Sequence, residues 1–147
     1  MQTRLERDEF FARTVGLVAQ RSSCDRAGVG AIALQDRRIV ATGYNGPPPG
    51  QDCAHVERGC DSDGDGSEGC LRAIHAEANL VAWAARHGVS LLGATVWATH
   101  SPCRVCAQLL LAAGVAQFNF IEDYRLGRPD LLIKGGVDVR RWHGRTE

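Results

Sequence analysis

Residues 94–121 read ATVWATHSPCRVCAQLLLAAGVAQFNFI, and this stretch decides the architecture. Ala94 to Thr99 is a short run of apolar, β-branched and aromatic residues, the pattern of a strand. From Cys103 to Ala113 apolar residues recur at helical spacing, and Gly114 follows as a helix terminator that tolerates left-handed backbone. Val115 to Ile121 is strand-like again. Strand, helix and strand in this order form a right-handed crossover, so the two strands are expected to be parallel.

Working outward, Val29 to Leu34 and Ile39 to Gly43 read as two further strands, and the polar Gln35-Asp36-Arg37-Arg38 between them predicts an antiparallel hairpin. Ala78, Val81, Ala82 and Ala85 mark one face of a helix from about His75 to His87, closed by Gly88. Apolar residues on its flanks predict that this helix is buried. Phe11, Ala12, Val15, Val18 and Ala19 mark a first amphipathic helix over about Leu5 to Gln20. Near the end, Asp130 to Lys134 reads as a helical turn and Val137 to Val139 as a short edge strand. The expected fold class is α/β, a mixed sheet of about five strands with helices packed on its faces.

The chain has 147 residues, 44% of them hydrophobic, and reads as one domain spanning 1–147. A chain of this size buries roughly two thirds of its unfolded surface, so six cysteines are not needed as staples. Seventeen basic side chains are balanced by seventeen acidic ones. That balance disfavours a broad basic face for nucleic acid and points to a small-molecule partner. Met1 to Glu9 has no apolar core of a signal peptide, and no run approaches the roughly 18 apolar residues of a membrane span. The expected location is therefore cytoplasmic, with no membrane partner. In that reducing compartment, closely spaced cysteines read as metal ligands or catalytic thiols.

The chemistry concentrates in His75-Ala76-Glu77 and Pro102-Cys103-Arg104-Val105-Cys106, each at the expected start of a helix. His75, Cys103 and Cys106 make three protein ligands of a tetrahedral zinc, leaving the fourth position for water, which is the arrangement of a catalytic site. Helix N-termini favour the thiolate form of both cysteines. Glu77, two residues past His75, points elsewhere on the helix and is cast as the proton shuttle for zinc-activated water. A Cys-x-x-Cys alone could be a redox pair or half of a structural zinc site, and His-Ala-Glu alone carries little. Together they match the signature of zinc-dependent nucleobase deaminases.

Within that superfamily the chain resembles the deoxycytidylate deaminases of bacteria and phages. The resemblance rests on Arg21-Ser22-Ser23-Cys24, Val29-Gly30-Ala31, Gly43-Tyr44-Asn45-Gly46, His75-Ala76-Glu77-Ala78-Asn79 and Ser101-Pro102-Cys103-Arg104-Val105-Cys106, and runs to about Tyr124. It implies a three-layer α/β/α cytidine-deaminase-like fold and hydrolysis of the 4-amino group of dCMP to give dUMP and ammonia. It further implies Glu77 as acid and base, Asn45 at the sugar or phosphate, and Tyr124 near the nucleotide. It also implies a homo-oligomer, such as a hexamer, with dCTP and dTTP as effectors together with Mg2+. An Asn between glycines is equally the natural occupant of a turn, and Tyr124 equally a partly buried aromatic. Alternatives to dCMP are another cytosine nucleotide, a modified cytosine or a free nucleobase. A non-enzymatic alternative is a zinc-stabilised nucleotide-binding module.

From Tyr44 to about Leu71 the periodicity stops: this insert holds Pro47 to Pro49, many glycines, and Cys53, Cys60 and Cys70. So long a loop calls for function or a metal to order it. Cys24, Cys53, Cys60 and Cys70, with His55 as an alternate ligand, are candidates for a second, closed structural zinc, as relatives in the resembled family often carry; the alternative is a set of reduced cysteines. Asp61-Ser62-Asp63-Gly64-Asp65-Gly66 imitates a calcium loop, but Arg72 stands where a bidentate Glu is required. For a substrate phosphate Arg26 is the candidate, with Gly28 standing where relatives often carry Lys or Arg. His87, His100 and His143 are expected to be structural or solvent-exposed.

Overall fold

Among the described residues nine elements follow the predicted order: α1 (Arg7–Ala19), β1 (Gly30–Gln35), β2 (Arg38–Tyr44), α2 (Ala76–Arg86), β3 (Thr95–His100), α3 (Arg104–Ala112), β4 (Gln117–Glu122), α4 (Pro129–Lys134) and β5 (Asp138–Arg141). They are seen in a computed structural model that describes residues 3–24, 27–51 and 72–144. The strands form one sheet in the order β2-β1-β3-β4-β5. β1 is antiparallel to both β2 and β3, whereas β3, β4 and β5 run parallel, as the two crossovers through α3 and α4 require. The β1–β2 hairpin closes on Asp36 and Arg37, with φ of 49° and 65°. Two left-handed central residues give the turn whose twist matches that of the flanking strands.

Alternation along the buried strands sorts the core into two layers. Ile32 and Leu34 of β1 and Trp97 of β3 meet Phe11, Ala12 and Val15 of α1. Ala31, Ala33, Val96, Ala98, Phe118 and Phe120 face the other way, onto Leu80 and Ala84 of α2 and Ala107 and Leu110 of α3. The result is α1, then the sheet, then α2 and α3 with α4 beside α3, a three-layer α/β/α sandwich. On the α2 side the sheet is lined with small residues, and at Gly43 an added Cβ would lie 2.3 Å from the Ala76 carbonyl oxygen and 2.7 Å from the Leu80 nitrogen. Only a glycine lets the first turn of α2 sit this close to β2.

Two expectations shift. The α2 helix is not buried all round, and its buried side is Ala76, Glu77, Leu80 and Ala84 instead of the expected Ala78, Val81, Ala82 and Ala85 face; Ala82 and Ala85 are exposed, and Trp83, 43% exposed, stacks on His87 with ring centroids 4.2 Å apart. Val115, expected at the start of a strand, instead bonds back to Leu110 after the left-handed Gly114, and β4 begins two residues later. Among the described residues no helix is long and apolar enough to cross a membrane.

Candidate metal centre and its pocket

His75 and Cys103 occupy the residues immediately before α2 and α3, both with extended backbone, and Cys106 lies in the first turn of α3. Each cap's carbonyl already accepts its first helical bond, Asn79 N–H to His75 and Ala107 N–H to Cys103, both 2.9 Å. Two helix starts therefore converge at one end of the sheet. His75 Nδ1 lies 3.3 Å from Cys103 Sγ and 3.5 Å from Cys106 Sγ. A tetrahedral zinc with Zn–S of about 2.3 Å and Zn–N of about 2.0–2.1 Å would hold nitrogen and sulfur about 3.5 Å apart. The three donor atoms all lie within 4.8 Å of one another, so the residues fit the metal.

The segment before α2 is held by the turn after β2. Gly46 and Ile74 exchange N–H···O bonds of 3.2 and 2.8 Å, and the Asn79 amide donates to the Tyr44 carbonyl at 2.8 Å. Asn79, quoted for the resemblance without a role, thus ties the first turn of α2 to Tyr44.

Glu77 is 4% exposed. Burial raises its carboxyl to about 7, partly offset by its own backbone N–H and the charge of His75. Cys103 is lowered to about 4, first because Cys106 hydrogen-bonds to its sulfur, while Cys106 is pushed up by that same bond and by burial. The thiolate form is favoured at Cys103, and metal binding releases any remaining thiol proton.

These groups open into a cavity of about 170 Å³ whose walls include Val29, Asn45, Glu77, His100, Tyr124 and Arg125. Asn45 is buried, with its Oδ1 accepting from Val29 N–H at 2.8 Å and its Nδ2 donating to the Ala27 carbonyl at 2.7 Å. It lines the pocket and at the same time clamps the chain entering β1. Tyr124 is held by its backbone N–H, which donates to Ser101 Oγ at 2.8 Å. Cys24, considered for a second metal, lies on the wall of this same cavity. Cys53, Cys60, Cys70, His55 and Arg26, like the acidic run 61–66, lie outside the described residues.

His100, expected to be structural or solvent-exposed, forms part of the cavity wall. The available signal was parity: His100 continues the Val96, Ala98 series that faces α2 and α3, and it lies three residues before Cys103. Ser101 and Arg125 were likewise missed, because their place depends on how the segment after β4 folds back.

Residues 5–122 match the cytidine and deoxycytidylate deaminase zinc-binding region. The chain belongs to this family. It is 38% identical over 124 residues to a deoxycytidylate deaminase of Mycobacterium phage D29, covering 79% of this chain and 94% of that one. It is 37% identical over 141 residues to ComE operon protein 2 of Bacillus subtilis, covering 94% and 72%. In three dimensions it resembles the dCMP deaminase of cyanophage S-TIM5 in complex with dCMP and dUMP, with a TM-score of 0.82, 30% identity, and coverage of 96% of this chain and all of that one. The five-stranded mixed sheet expected from sequence is thus the sheet of the family.

Proposed function

We propose that the protein hydrolyses dCMP to dUMP and ammonia. The observation that carries this reading is the buried carboxyl of Glu77, which lines one cavity with His75 and Cys103 of the His75, Cys103 and Cys106 cluster, in a chain whose relatives include dCMP deaminases. His75, Cys103 and Cys106 are the residues that hold zinc, which when bound supplies a water whose pKa is lowered toward about 7. Glu77 accepts a proton from the attacking water and delivers it to N3 of the base as the C4–O bond forms. The same carboxyl then takes the second proton of that water from the C4 hydroxyl and passes it to the departing amine as the C4–N bond breaks, so ammonia leaves and the ring carbonyl remains. Asn45 is assigned to the sugar and Tyr124 to the nucleotide face of the cavity. Arg125 is a guanidinium on the cavity wall and joins Arg26 as a candidate for the phosphate.

We extend the reading to a homo-oligomer and to regulation by dCTP and dTTP with Mg2+, as the resemblance implies, and to action in the cytoplasm, as expected from the polar N-terminal sequence. The test is ammonia release by zinc-loaded protein on dCMP, CMP, deoxycytidine, dCTP and cytosine, with Glu77→Ala as control. Turnover confined to dCMP and lost in the variant supports the proposal. Turnover of another member replaces the substrate and keeps the chemistry, whereas binding without ammonia release identifies a nucleotide-binding module.

A further inference from the structure

We infer that His100 is a specificity-determining residue that walls the base end of the substrate cavity, and that Glu122 acts through it as a positioning residue. The inference rests on dCMP being the substrate. His100 is the last residue of β3, and the chain passes directly from it through Ser101 and Pro102 to Cys103. The His100 ring and the metal ligands His75 and Cys103 line one cavity. Its side chain is 23% exposed and lines the same space as His75 and Glu77.

The ring is held at both nitrogens. Nδ1 lies 2.8 Å from Thr99 Oγ1, and that hydroxyl oxygen is itself fixed by accepting the Gly30 N–H at 3.1 Å. Nε2 lies 3.3 Å from a carboxylate oxygen of Glu122, the residue paired with His100 across β3 and β4. The ring stands between a hydroxyl oxygen and a carboxylate oxygen before substrate arrives. Such a fixed wall orients a planar base without an ordering cost at binding. Glu122, with its side chain 68% exposed, reaches the substrate only through the ring it holds.

The experiment compares zinc-loaded wild type with His100→Ala, Glu122→Ala and Glu122→Gln, measuring kcat and KM for dCMP, zinc content, and competitive inhibition by deoxyribose 5-phosphate, which lacks the base. His100→Ala is expected to raise KM for dCMP about tenfold, a loss of the size of one good contact, with a smaller fall in kcat. Zinc content and the inhibition constant of deoxyribose 5-phosphate should stay at wild-type values, because the base alone has lost its wall. Glu122→Ala should raise KM in the same direction by a smaller factor, and Glu122→Gln, which keeps an acceptor, should recover part of it. A His100→Ala variant that weakens deoxyribose 5-phosphate as much as dCMP, or that leaves KM unchanged while lowering only thermal stability, overturns the assignment. A Glu122→Ala variant with wild-type KM overturns the positioning role. If wild type does not turn over dCMP, the functional reading fails first, and that outcome is distinct from any pattern among the variants.

Discussion

The Ser101 hydroxyl accepts the Tyr124 backbone N–H at 2.8 Å, fastening the segment after β4 to the residues that lead into Cys103. Two further bonds reinforce this seam. The Arg128 N–H donates to the Pro102 carbonyl at 2.7 Å, and Gly127 bridges to Cys103. One wall of the pocket is thereby indexed to the metal ligands.

Removing the hydroxyl tests that seam. Ser101→Ala leaves the Tyr124 N–H without its acceptor and should cost about 1–3 kcal/mol. KM should rise while zinc stoichiometry is unchanged, since no metal ligand is touched. Thermal melts, metal analysis and steady-state kinetics on one preparation check all three, and a variant that loses zinc would show that the seam supports the ligands themselves.

Gly43 carries a different burden. Gly43→Ala places a methyl group 2.3 Å from the Ala76 carbonyl oxygen, which is backbone and cannot rotate away. The first turn of α2 must retreat, carrying His75 and Glu77 with it. We expect about 1–3 kcal/mol of destabilisation from the overpacking, together with weaker zinc binding in a chelator competition. Unchanged zinc affinity would mean that α2 slides without moving His75.

His75, Cys103, Cys106 and Glu77 separate by role. Cys103→Ala should lose the bound zinc and with it all turnover, whereas Glu77→Ala should keep zinc and lose about 10²–10⁴-fold in kcat, the usual range for a positioned acid and base. Metal content by atomic absorption alongside kcat distinguishes the two. Substantial residual turnover in Glu77→Ala removes that residue from the mechanism.

Glu77 also makes a prediction about pH in protein stripped of zinc. Its carboxyl is raised from 4.5 to about 7 by burial, so between those values the folded chain keeps a proton that the unfolded chain has lost. Stability from this group is therefore complete below the unfolded value and is lost as pH rises through the folded one, by on the order of 3 kcal/mol. Cys103, lowered to about 4, works in the opposite direction. The informative quantity is thus the difference between wild type and Glu77→Gln in urea melts at about pH 5 and about pH 8 in chelator. The Gln variant should gain on wild type as pH rises; parallel curves would show that Glu77 is not desolvated.

Much of this was legible without coordinates. The alternation and helical spacing from Ala94 to Ile121 determined a parallel strand pair around a helix, because side-chain periodicity and crossover handedness are local properties of the chain. The hairpin at Asp36-Arg37 was readable for the same reason. His75, Cys103, Cys106 and Glu77 stood out because together they match the signature of zinc-dependent nucleobase deaminases, and the fold brings the donor atoms of the first three within 4.8 Å of one another. What the sequence could not determine is what depends on approach between distant segments. His100 lies beside Glu122 only once β3 and β4 pair, and Ser101 meets Tyr124 only once the segment after β4 folds back onto it. Cys24 stood among the other cysteines in composition, but packing places it against the pocket. Gly43 is the last residue of a strand in sequence, and the tertiary structure makes it the point where helix and sheet backbones come too close for any side chain. Residue type and periodicity are written along the chain, whereas which surfaces touch is decided by the packing free energy of the whole sandwich.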